Sequence, residues 1–441
     1  MKRALGLFLI LALIFSFVSC SKPAEKSSTS DVTTEETTKE TSKDTTIAEE
    51  QVTLTFTGWR VEDQNAMDKM NELFTSKYPN IKIAYNPVKA TEYDSYLQTA
   101  FASGTAEDIV MVRSFTGGKI AFSSGKILPL TFDLVPELEK YPESALNGWR
   151  TDDGQIFAVP GGMSLEGVYY NKRIFDECGI TKVPETMDEL YSVCEKIKEK
   201  GYFPIAAGIA DAWYVSEEIT STILMALIES GDWVKKLYNK EIDFNDPKYV
   251  EMLQGVKDLA RYYPEGYEGL TYEDCQQMFI SEQAAIYMSG SFELAYFMET
   301  NPDLKLGCFA YPGKNGPAKA MNFTLATSFG IYSETKHMDE ALTYINWLAS
   351  KEGNEAYANN VIGFFGMNPE AATLESEIAT DWLSLTKGRE CIHMLGYECM
   401  ADQVPDYTTA VADTVYQMLV NGKSPSEAAA FMQEQMSWYF K

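Results

Sequence analysis

The chain has 441 residues and carries 37 Lys+Arg against 64 Asp+Glu, a formal net charge of −27. No run of Lys and Arg is long enough to make the basic stripe that releases counterions from a polyanion, so nucleic acid is excluded as a partner. At 45% hydrophobic and 23% charged the body is an ordinary globular protein, and its length exceeds what one core supports, which calls for two lobes of about 150–200 residues each.

Lys2 and Arg3 precede an apolar run from Ala4 to Phe15, then Ser16-Phe17-Val18-Ser19-Cys20. This pattern reads as a secretory signal, and the run is short for a membrane span. Cys20 after a small residue resembles a lipobox, in which the cysteine is lipid-modified and becomes the mature N-terminus, although Phe17 stands where Leu is usual. An ordinary cleavage site with an incidental cysteine is the alternative. Lipoprotein cysteines carry more than one acyl chain, as stable anchoring requires. From Ser21 to Glu50 there are 13 Ser/Thr, 8 Asp/Glu and 4 Lys and no aromatic residue. Such a segment buries too little apolar surface to offset its ordering entropy, and reads as a flexible spacer. A lipid, a leash and a folded body together suit a protein on the extracellular face of the cytoplasmic membrane, as on a Gram-positive cell surface.

Val52-Thr53-Leu54-Thr55-Phe56 alternates as a strand, Asp63 to Tyr78 has helical apolar spacing at Met67, Met70, Leu73 and Phe74, and Ile81 to Tyr85 is a second strand. A helix over Tyr93 to Ser103 and a strand over Asp108 to Val112 continue an α/β pattern. Thr186-Met-Asp-Glu189 and Ser424-Pro425-Ser-Glu427 are capping boxes that predict helix starts. Between them helix predominates, with few long strand candidates. Most of the 7 Trp, 26 Tyr and 23 Phe must be core, since no one site could use so many.

Beyond Cys20 there are Cys178, Cys194, Cys275, Cys308, Cys391 and Cys399. Outside the cell they could pair, but the spacing is scattered and a body of this size can keep them as buried thiols. Cys391-x-His393 with Cys399 lacks a metal-binding spacing, so neither metal nor cofactor is expected.

Several segments, in order, resemble the extracellular solute-binding proteins of ABC importers, in particular the maltose-type sugar-binding family. They are Gly104-Thr-Ala-Glu107-Asp108-Ile-Val-Met with Gly125-Lys-Ile-Leu128-Pro129-Leu130, and Asp153-Gly154-Gln-Ile-Phe157-Ala-Val-Pro160 leading into Tyr169-Tyr170-Asn171-Lys172. Phe279-Ile-Ser-Glu-Gln-Ala284-Ala285-Ile-Tyr-Met-Ser-Gly290-Ser291-Phe292 and Pro312-Gly313 follow. Glu107 stands for the usual Pro, Glu282 for Gly and Phe292 for Trp. The resemblance implies an α/β, two-lobed periplasmic-binding-protein-like (type II) fold with a hinged inter-lobe cleft. By analogy one lobe holds residues 51–162 and 305–358, the other 163–304 and 359–441. It further implies a monomer that captures a sugar and delivers it to the permease subunits of an ABC importer.

A sugar needs flat aromatic platforms for its C–H faces and polar side chains for its hydroxyl rim. Trp59, Asp63 and Gln64 follow the first strand, where relatives contact sugar; Asp63 can equally cap the next helix and Trp59 can be core. Glu92 and Tyr93 open a helix that faces the cleft in relatives, and Glu92 also suits a helix N-terminus. Arg113 and Ser114 follow the next strand, where Arg can make fixed bidentate bonds or a structural ion pair. Ser164 and Glu166 mark the first hinge crossing, and Phe323 and Ser328 the second, with Phe364 and Phe365 at the third. Trp213 and Tyr214, in a loop after Phe203–Ala207, align with a family platform, and Ser291 and Phe292 with its stacking turn; lobe packing is the bland alternative for each.

A secreted glycosidase is the competing reading, since acids are plentiful. It lacks a nucleophile elbow, a His-based triad or a metal motif, and the chain has only His337 and His393. The same fold could also hold a polyamine between acids and rings, a glycerol phosphate against Arg, or a peptide.

Overall fold

Alternation in Val52–Thr57 makes strand β1, whose Leu54 and Phe56 are fully buried. It pairs in parallel with β2 (Ile81–Tyr85) and β3 (Ile109–Val110). The helices Gln64–Lys77 and Ala90–Ser103 are the crossovers that parallel pairing demands. The Asp108 carboxylate accepts from the Thr55 backbone N–H and hydroxyl, both at 2.8 Å, and so ties β3 to β1. This computed structural model describes residues 51–441 apart from Glu229 and Ala372. The expected signal, Cys20 and the Ser/Thr-rich spacer lie outside the described residues.

The remaining strands are β4 (Val159–Asn171), β5 (Phe203–Ala206), β6 (Ala284–Gly290), β7 (Leu306–Phe309), β8 (Ala320–Ile331), β9 (Phe365–Gly366) and β10 (Glu390–His393). The main order is β2-β1-β3-β8-β4-β6-β5, with β10 on β8 and β7 and β9 on β4. β4 and β8 are the architectural strands. β4 pairs with β8 through Val159–Leu165, then with β6 through Glu166–Tyr170 and with β7 through Val168–Asn171. β8 in turn begins against β10 and ends against β3. Both strands therefore leave one sheet region and enter the other, which makes the fold two-lobed with a hinge near residues 164–166 and 323–327. β9, paired with Gly162 and Met163, is a third crossing. Gly363, just before it, has φ +106, and a Cβ there would lie 1.9 Å from the Ser291 carbonyl oxygen, so no side chain fits where this crossing passes the end of β6.

Aromatic residues build both cores. Phe74 packs on Tyr344 and Trp347 beside β1, while Tyr169, Phe279, Tyr287 and Phe297 interlock beside β6 at centroid separations of 5.2 to 6.2 Å. Helices Met187–Glu199 and Pro425–Gln435 start at the two predicted capping boxes, and Tyr272–Ile280 starts at a third, Thr271 with Asp274. Between the first two boxes helix predominates as expected, and the one long strand there among the described residues is β8, twelve residues buried at most positions. A strand covered on both faces loses its period-two signal.

Trp213 and Tyr214 are not in a loop. They form a helical turn, Ala212–Tyr214, that continues as a π-helical segment over Val215–Ser221. Val215, Ile219 and Ile223 are buried at i, i+4 and i+8, the helical stripe that drives it. The six cysteines among the described residues are free thiols, with Cys194 and Cys275 buried. Among the described residues no helix is long and apolar enough to cross a membrane.

Candidate functional site

The loops at the strand ends on both sides of the hinge enclose a cleft of about 1340 Å³, beyond the roughly 300–1,000 Å³ usual for small-molecule pockets. Its walls are built from four places. The turn after β1 brings Trp59, Arg60 and Glu62, and the helix Ala90–Ser103 brings Thr91, Asp94 and Gln98. Arg113 and Ser114 follow β3. From the β6 side come Trp213 and Glu217, Tyr272 and Gln276, Phe292 and Tyr296, and further along Tyr397 and Asp406.

Three rings line the wall. Trp59 stands edge-on to Tyr93 at 5.4 Å, and the Arg113 guanidinium lies over it at 4.1 Å. Trp213, half-buried, is braced edge-on by Tyr272 at 4.7 Å. Phe292 is faced by the Arg60 guanidinium at 5.0 Å, with Phe364 at 5.3 Å from the same group. The rings are thus braced before any ligand arrives, Trp59 and Phe292 each with a guanidinium over one face and Trp213 by its ring neighbours.

Arg60 is the strongest tie between the two sides. Its Nε donates to Asp63 Oδ2 at 2.7 Å, Nη1 pairs with Glu62 at 2.7 Å, and Nη2 donates to Asp63 Oδ1 and to the Phe292 carbonyl at 2.9 Å. The turn that follows β1 is in this way fastened to the turn that follows β6. A weaker, exposed ion pair of Lys89 with Glu273 at 3.5 Å spans the same gap.

The floor at the hinge is acidic but concealed. Ser164 and Thr324 reach the cleft, and both hydroxyls donate to Glu166 Oε1, at 2.9 and 3.1 Å. Burial pushes Glu166 up to about 7 and raises Glu218 well above the usual carboxylate range, each held against the other. Burial also pushes Glu217 up to about 7, although the Tyr397 hydroxyl and Arg113 favour its charge.

Of the sequence-predicted residues, Trp59, Arg113, Ser114, Ser164, Trp213 and Phe292 lie on the cleft wall, joined by Phe364. Others lie one layer behind it. Asp63 is fully committed to Arg60 and caps no helix end, and Gln64 bonds Asp68 and the Tyr85 carbonyl. Glu92 is exposed and off the cleft, since Thr91, Asp94, Gln98 and Phe101 form the inward stripe of its helix. Tyr93 and Tyr214 are fully buried, donating to the Met111 and Met288 carbonyls beneath Trp59 and Trp213. Ser291 donates to the Gly363 carbonyl and Ser328 to that of Val112, both as internal struts. Phe323 packs on His393, and Phe365 pairs with Met163. Glu166 serves Ser164 and Thr324 rather than the cleft directly.

Sequence reading missed Asp94, Gln98, Tyr272, Gln276 and Tyr397. The Thr271 capping box followed by polar residues at Glu273, Gln276 and Gln277 could have exposed the second wall, because those positions share one helix face. No comparable signal marks Tyr397.

The sequence pattern of the bacterial extracellular solute-binding protein family matches residues 58–355. The chain is 23% identical over 321 residues to the multiple sugar-binding protein of Streptococcus mutans, covering 70% of this chain and 74% of that one. It is 23% identical over 395 residues to the diacetylchitobiose binding protein of Streptomyces coelicolor, covering 85% and 87%. A solute-binding protein solved in complex with raffinose superposes with a TM-score of 0.72 at 19% identity, covering 89% of this chain and 100% of that one. A two-lobed sheet with its strand ends opening on one ringed cleft, together with a family match over most of the chain, places this protein among the bacterial extracellular solute-binding proteins of ABC transporters.

Proposed function

We propose that this protein captures a sugar or short oligosaccharide in the cleft, closes around it, and delivers it unaltered to the permease of an ABC importer from a lipid anchor at Cys20. The observation that carries the reading is the cleft itself: Trp213 offers a half-buried ring, Trp59 and Phe292 line the same wall beneath the Arg113 and Arg60 guanidinium groups, and Glu62, Asp94, Arg113, Gln276 and Glu217 offer the hydrogen-bonding rim. Stacking platforms edged with fixed polar groups suit a molecule with apolar faces and a hydroxylated perimeter. The volume favours more than one sugar ring.

The lobes in this reading are residues 51–162 with 305–358 and residues 163–304 with 359–441. Leu306–Phe309 belongs by its pairing to the second, since it lies beside Val168–Asn171. Ligand touching both sides stabilises the closed arrangement through its differential affinity. A thermal-shift screen across maltose, raffinose, stachyose, diacetylchitobiose, spermidine and glycerol 3-phosphate tests the ligand class. A sugar is expected to raise the melting temperature in proportion to occupancy; a rise with spermidine or glycerol 3-phosphate alone overturns the sugar reading, and release of cleaved sugar overturns the binding-only role.

A further inference from the structure

We propose that Glu166 and Glu218 share one proton beneath the cleft floor, and that Glu166, held in place by this pairing, fixes the Ser164 and Thr324 hydroxyls as hydrogen-bond acceptors toward the ligand, so that the ligand places O–H or N–H donors at the hinge. The inference rests on the reading of the cleft as the ligand site.

A hydroxyl has one hydrogen to give. Ser164 and Thr324 both spend theirs on the same oxygen, Glu166 Oε1, at 2.9 and 3.1 Å. What they turn to the cleft is lone pairs. Glu166 and Glu218 are at most 1% exposed. Glu166 Oε2 and both Glu218 oxygens are buried without a hydrogen-bond partner, and the two carboxyls are near enough to act on each other. Two buried carboxylates in contact repel and lack solvation; one proton between them converts the clash into a charge-assisted O–H···O bond. The room for this pair is made by Gly290, the residue opposite Glu166 on β6, where a Cβ would lie 2.1 Å from Glu166 Oε2.

The surroundings reinforce the shared proton. Glu217 and Glu293 add negative charge near Glu218, and the Tyr169 and Tyr397 phenols feel the same carboxyls. Arg113 acts on Glu217 rather than on the pair, and His393, behind Leu325 on β8, is kept neutral by burial with its value lowered to about 4. A carboxyl raised on folding is held protonated more tightly by the folded chain than by the unfolded one. Its contribution is complete below the ordinary value of 4.5 and is lost as pH rises through about 7.

The test is the melting temperature of ligand-free protein from about pH 5 to about pH 9, for the parent, Glu166→Gln and Glu218→Gln. A glutamine at 166 keeps an oxygen for Ser164 and Thr324 and supplies a permanent N–H to Glu218; one at 218 supplies it from the other side. The parent is expected to lose stability across this range, and each Gln variant to lose less, so that the gap widens with pH in the variants' favour. Glu62 and Glu217 leave a residual slope in both variants. Curves that stay parallel overturn the shared proton, and either variant alone suffices if the other folds poorly. Calorimetric titration with maltose, raffinose, stachyose and diacetylchitobiose supplies the second arm. Parent affinity is expected to fall about 3- to 10-fold as the pair ionises and repulsion from Glu218 displaces the Glu166 oxygen that Ser164 and Thr324 share, with Glu166→Gln holding its affinity. Equal pH dependence in both overturns the link to the ligand. Should none of the four bind at any pH, the sugar reading fails while the melting curves still decide the shared proton.

Discussion

Replacing Arg60 with methionine is expected to cost about 3–5 kcal/mol of stability. The guanidinium is nearly inaccessible and satisfies Asp63, which is 1% exposed, along with Glu62 and the Phe292 carbonyl. Methionine fills most of the volume but leaves a buried carboxylate without its counter-charge, and removal of one partner costs far more than the pair contributes. Urea unfolding monitored by circular dichroism checks the value. The double replacement Arg60→Met with Asp63→Asn is expected to recover a large part of the loss, because the stranded charge is then gone. A loss below about 1 kcal/mol in the single variant contradicts the account of Arg60 as the fastening between the two turns.

Trp213→Ala is expected to weaken sugar binding about 10- to 100-fold while leaving the fold intact. The ring is half-buried on the cleft wall, and its backing of Tyr272 and Tyr214 holds without it, Tyr214 through its bond to the Met288 carbonyl. Trp59→Ala is the informative contrast. Trp59 is 7% exposed and packs against Tyr93 and Arg113, so its loss should lower stability by about 3–5 kcal/mol as well as affinity. Calorimetric titration with whichever sugar raises the melting temperature separates the two. Unchanged affinity in Trp213→Ala removes that ring from the site.

The legible parts of the fold were those with a one-sided environment. β1 and β2 and their helix show period two and period 3.6 because one face meets core and the other water. β4 and β8, which carry the hinge, are buried along nearly their whole length and show no alternation. Trp59, Trp213 and Phe292, which the family resemblance aligns with sugar-contacting turns and stacking rings, lie on the cleft wall. Asp63 was misplaced because its neighbour Arg60 takes it, and a charged pair three residues apart looks the same in sequence whether it faces ligand or core. Glu92 failed on phase alone: Asp94, two residues on, occupies the inward face. The proposed Glu166–Glu218 pairing joins residues far apart in the chain, and nothing local to either position announces it.

The central claim is that two hinged lobes close on a small polyhydroxylated ligand. Small-angle scattering of the protein, free and saturated with a sugar shown to bind it, tests that most directly. The account predicts a smaller radius of gyration with ligand and a scattering curve that returns to the free form on dialysis. An unchanged radius at proven saturation would contradict it.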